Sequence, residues 1–188
     1  DIISIRLICQ MRGFKTMENF DIKLWLSDLD DHHLPKWEEF PDFELYMEQL
    51  VSLGNRYLAY FSETPLTSSM INSYVKKGLM SRPEKKRYRA EHIAELIVIS
   101  LLKTTYPLET IRNCIERVIC DEESVQIAYD NFSDRFNQTL HALYSGNDSI
   151  SIKTPTTKLE CVSISEELAV RAVIYRLVSQ KIMSSKTE

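Results

Sequence analysis

With 188 residues, 27% of them charged and 44% apolar, the chain has the size and balance of a globular protein of one large or two small domains. Only four glycines and six prolines argue for helices over a β-sandwich, and no apolar run is long enough to span a bilayer. There is no secretory signal pattern, and Cys9, Cys114, Cys120 and Cys161 form no Cys-x-x-Cys pair and have no histidine at zinc spacing; both point to a cytoplasmic protein with reduced, mostly buried thiols and no metal.

Residues 1–16 match nothing that follows and read as an upstream extension, with Met17 a natural-looking start. The acidic stretch 17–41 holds a short helix around Leu24, Trp25, Leu26 and Leu29. Its Asp30-Asp31-His32-His33 run reads as solvated linker, because adjacent histidines point in different directions on a helix or a strand. Residues 42–61 carry the clearest helical stripe: Phe43, Tyr46, Met47, Leu50, Val51, Gly54, Tyr57, Leu58 and Phe61, capped by Asp42 and packed into the core.

Residues 67–93 organise the rest. Met70, Ile71, Tyr74 and Val75 fall at helical spacing, Thr67 to Ser69 offer capping hydroxyls, and Gly78 supplies the left-handed stop. From Lys76 to Arg89 there are seven cations against Glu84 alone, a local charge of +6 in a chain whose total is −4. Such an asymmetry suits a polyanion-binding element on an acidic body, although a basic run is by itself more often a solvated turn.

The order Ile71-Asn72-Ser73-Tyr74, Lys76-Lys77-Gly78-Leu79-Met80, Lys86-Arg87-Tyr88, His92-Ile93 resembles the winged helix-turn-helix of MerR-type transcription regulators. The longer stretch from Leu34-Pro35-Lys36-Trp37 to Ile111-Arg112 resembles domain-of-unknown-function family 1836, which carries such a domain. The MerR pattern has an arginine where Asn72 stands and a tyrosine where Ser73 stands. The resemblance implies an all-α fold, a MerR-like winged helix-turn-helix with a small β wing, followed by a C-terminal helical dimerisation or sensor region. It divides the chain into an extension (1–41), the DNA module (42–105) and the C-terminal helices (106–188).

Ile93 to Leu102 are apolar almost all round, as in a helix buried on most sides; His92 opens it as a cap, a phosphate contact or a merely exposed side chain. Pro107 starts the next helix, lined by Leu108, Ile111, Ile115, Val118 and Ile119. Asp121-Glu122-Glu123 is expected to cap a helix of about 35 Å bearing Val125, Tyr129, Phe132, Phe136, Leu140 and Leu143. That stripe serves either a dimer or packing against the last helix. Residues 145–162 read as a loop with short strands at 150–152 and 159–162. Ser163 and Glu166 then read as the capping box of a helix facing inward through Ala169, Val170, Val173, Ile174, Leu177 and Val178, with a frayed tail at 184–188.

These elements predict an interface with double-stranded DNA. Ser68, Ser69, Asn72 and Ser73 are placed to meet base edges in a major groove, where Asn72 suits adenine. Lys76, Lys77, Arg82, Lys85, Lys86, Arg87 and Arg89 would neutralise phosphates, and Tyr88 would pack the wing or donate to phosphate. The function expected is a cytoplasmic bacterial regulator, a repressor, dimeric on an inverted repeat, with no membrane and no cofactor. The competing reading is a protein-interaction module whose helix-turn-helix no longer binds DNA. A third, ligand sensing by Tyr129, Phe132, Phe136 and Tyr144, competes with core packing. No phosphate loop, Gly-x-Ser-x-Gly or Cys/His constellation supports catalysis.

Overall fold

A computed structural model describes residues 21–121, 124–150 and 154–184. Seven α-helices form among them: α1 (Ile22–Asp31), α2 (Met47–Tyr57), α3 (Ser68–Lys76), α4 (Ala90–Leu102), α5 (Leu108–Asp121), α6 (Val125–Tyr144) and α7 (Lys158–Ser184), with a 3-10 turn at Trp37–Glu39. The fold is all-α. Extended pairing among the described residues is limited to two isolated antiparallel bridges, Leu45 with Tyr88 and Glu84 with Arg87. The extension at 1–16, the strand expected at 150–152 (beyond Ile150) and most of the tail lie outside the described residues.

The all-round apolar sequence of α4 makes it the central rod. Ile93, Leu96, Ile97, Ile99 and Leu101 are buried, and α2, α5, α6 and α7 pack around it. Gly54 lets α2 come close: a Cβ there would sit 2.7 Å from Leu66 Cδ1 and 3.0 Å from Leu96 Cδ2. The stripe of α6 is spent inside the chain, with Tyr129, Phe136 and Leu140 buried against α7, α1 and α4.

Residues 22–40, drawn from sequence as part of an extension, belong to this core. Leu29 and Leu34 are buried, and α1 packs on α6. The backbone after α1 is then fastened to polar side chains of α6. Asn137 accepts from Leu34 N at 2.8 Å and donates to Leu34 O at 3.0 Å. Ser133 donates to the carbonyls of Leu34 and Pro35, Tyr129 donates to Pro35 O at 2.8 Å, and Asp130 accepts from Trp37 N at 2.9 Å. The acidic-histidine run is no linker either: Asp30 and Asp31 end α1, Asp30 meets His141 at 2.9 Å, and His32 stacks on Tyr60.

Several other expectations are corrected. The helix read over 42–61 starts at Met47. Before it the chain is extended, because Leu45 exchanges two backbone hydrogen bonds with Tyr88 (2.8 and 2.9 Å) and cannot also be helical. Tyr46 therefore occupies the cap position in place of Asp42, and Phe43 and Tyr46 are 60% and 54% exposed instead of core. Helix α6 is capped by the Ser124 hydroxyl, which accepts from Ile127 N, while Asp121 closes α5. Residues 159–162 are helical, since α7 begins a turn before the Ser163/Glu166 box. Thr157 accepts from Glu160 N at 3.1 Å and Glu160 accepts from the amides of Thr156 and Thr157, an equivalent box that comes first in the chain. Cys161 is exposed, contrary to the buried thiol expected; Cys114 is half-buried.

Candidate nucleic-acid interface

The local chemistry read for α3 appears in the structure. Thr67 Oγ1 accepts from Met70 N at 3.3 Å, and Ile71 and Tyr74 face the core. At the far end Gly78 adopts φ +69°, so Leu79 N reaches Tyr74 O at 2.9 Å and Gly78 N reaches Val75 O at 3.1 Å. Leu79 and Met80 are buried beyond it and pin this end of the helix to the body. The opposite face is open: Ser69 and Asn72 are exposed, Ser68 and Ser73 half-buried, Lys76 and Lys77 exposed.

The chain then passes Ser81, whose amide and hydroxyl donate to the two oxygens of Glu95 at 2.9 and 2.6 Å. Glu95 lies on the central rod, 9% exposed, and burial raises its pKa. It fixes the backbone between α3 and a two-residue hairpin turn. That turn closes with Arg87 N donating to Glu84 O at 2.8 Å, and its central residues, Lys85 and Lys86, both have positive φ (48° and 63°). Such a turn favours Asn-Gly; a residue with a Cβ pays about 1–2 kcal/mol at each left-handed position. Here two lysines stand there, both exposed.

The seven cations of the segment separate into three kinds. Arg89 is tied to Glu44 through Nε and Nη2 at 3.0 and 2.9 Å, and reaches Glu84 at 3.5 Å. Arg87 lies over the Tyr46 ring, 3.7 Å from its centre. Lys76, Lys77, Arg82, Lys85 and Lys86 are exposed, and among the described residues no acid pairs with them. Tyr88 is 4% exposed, edge-on to His92, with its hydroxyl pKa raised by burial. It packs, the first of the two roles open to it from sequence. His92 is buried rather than exposed. Its Nδ1 accepts from Arg89 N at 3.0 Å, so it caps α4, and burial pushes its pKa down. The partners Glu44 and Tyr46 were hidden from sequence reasoning by the helical reading of their segment.

Among the described residues the arrangement is all-helical, with a hydroxyl- and amide-bearing helix face flanked by cations that no acid pairs with. Residues 35–132 match the family model described as Domain of unknown function (DUF1836), and the chain belongs to that family. No curated protein and no solved structure matches it. No helix among the described residues is long and apolar enough to cross a membrane.

Proposed function

We propose that the chain is a sequence-specific DNA-binding transcription regulator, a cytoplasmic repressor that binds an inverted repeat as a homodimer. In this reading α2, α3 and the Glu84–Arg87 hairpin form a MerR-like winged helix-turn-helix. The single observation that carries it is the exposed Ser69/Asn72 face of α3 accompanied by five cations that no acid among the described residues neutralises. A helix about 10–12 Å across fits a major groove, Asn72 presents a donor and an acceptor to adenine, and Lys76, Lys77, Arg82, Lys85 and Lys86 release counterions from phosphate. The strained lysine pair supports the same reading, since backbone cost at an exposed turn is retained where the side chains serve a purpose.

The second copy follows from the inverted repeat, which needs two modules about one helical turn apart. With α6 committed inside the chain, the face left for it is that of α7, where exposed Leu168, Tyr175 and Ile182 recur every seven residues. The test is duplex binding by the full chain at low salt. Wild type binds and the Lys85→Ala/Lys86→Ala variant binds at least tenfold more weakly with an unchanged melting temperature. Absence of binding by the wild type at low salt overturns the reading.

A further inference from the structure

We propose that the groove behind α3 binds a small organic anion, one carboxylate or phosphate on a short apolar body. The groove has a volume of about 510 Å³ and runs between the buried side of α3, the end of α4, the start of α5 and the outer half of α7. Two of its lining side chains are Lys103 and Arg176, and neither meets an acid among the described residues. Lys103 is half-buried, and among the described residues the one hydrogen bond of its side chain goes to the Tyr74 hydroxyl, to which Nζ donates at 3.0 Å. A desolvated ammonium beside a neutral phenol is poorly compensated, and its pKa is lowered by that burial. A ligand carboxylate or phosphate set between Lys103 and Arg176 supplies the missing negative charge with charge-assisted hydrogen bonds.

The rest of the groove suits the body of such a molecule. Met70, Leu108 and Leu177 offer apolar surface around the two cations. Its one carboxylate among the lining residues, Glu63, is engaged by Gln180 Nε2 at 2.8 Å. Helix α5 begins at the rim with Pro107 and Leu108, so the positive end of its dipole adds to the field. An anion there draws Lys103 away from Tyr74, a residue of α3 itself, which puts the occupied groove in mechanical contact with the proposed reading helix. The binding site stands on its own lining and does not require that α3 read DNA.

The experiment follows methyl and aromatic resonances of the full chain during titration with phenyl phosphate, benzoate and inorganic phosphate at constant ionic strength. Phenyl phosphate or benzoate is expected to shift Met70, Leu177 and Tyr74 saturably in the millimolar range or below, and inorganic phosphate more weakly. Arg176→Gln, an exposed change, weakens that binding at least tenfold, as does Lys103→Met, while Lys85→Ala/Lys86→Ala leaves it intact. Shifts confined to the Lys85–Lys86 hairpin, or saturable shifts unchanged in Arg176→Gln and Lys103→Met, or no saturable shift with either organic anion, overturn the proposal.

Discussion

Two polar regions of this molecule are treated in opposite ways. Along α6, Tyr129, Asp130, Ser133 and Asn137 are each matched to a backbone group of residues 34–37, with Tyr129 and Ser133 buried and Asp130 and Asn137 half-buried. Along α3 and the hairpin, five cations are left without an acid among the described residues, although the chain is acidic overall. Matched groups hold one part of the chain to another; unmatched, exposed charges add little to folding and are free for a partner. Arg89 and Arg87 mark the border: both belong to the basic run, yet Glu44 and Tyr46 draw them into holding the hairpin.

The contrast can be broken from either side. The largest effect is expected on the matched side. Asn137→Ala leaves Leu34 N–H without its partner and should lower unfolding free energy by about 2–3 kcal/mol in denaturant titration, with duplex affinity of the folded protein unchanged. If affinity falls in step, the separation of the two regions fails. Glu95 holds Ser81 between α3 and the hairpin, and its pKa, raised by burial, gives a pH test. The folded state holds the proton more tightly than the unfolded chain, so that stability is fully present below the ordinary carboxylate pKa and is lost as pH rises through the folded value. Glu95→Gln should flatten this loss in a denaturant series from pH 4 upward; an unchanged slope would assign it elsewhere. The smallest effect is the most discriminating. Lys85→Asn/Lys86→Gly removes the left-handed cost at position 86 and eases it at position 85, and should raise stability by about 1–2 kcal/mol while weakening duplex binding. A gain in both would show that the lysines are incidental.

Sequence legibility followed the range of the interactions involved. The ends of α3 were readable because Thr67 and Gly78 act within one turn of themselves, and α4 because an all-round apolar helix has few places to go. The start of α2 was misread because Phe43, Tyr46, Met47 and Leu50 keep helical spacing, while a backbone pairing of Leu45 with Tyr88, far along the chain, straightens the segment before Met47. The clamp on residues 34–37 was invisible for the same reason: Ser133 and Asn137 are ordinary helix residues until their partners are known. In α7 the sequence held two equivalent capping boxes, and only the fold selects Thr157/Glu160. At the candidate site the charge was legible residue by residue, but which cations remain unpaired was not. Neither were the packing of Tyr88 and the positive φ of Lys85 and Lys86.

The central claim is that Lys76, Lys77, Arg82, Lys85 and Lys86 meet phosphates, and the salt dependence of duplex binding measures that count. If the five cations each neutralise one phosphate, log affinity falls linearly with log salt at a slope of about −4 to −5 per protomer, and Lys85→Ala/Lys86→Ala reduces its magnitude by about 2. A slope that is the same in wild type and variant, or binding insensitive to salt, would contradict it.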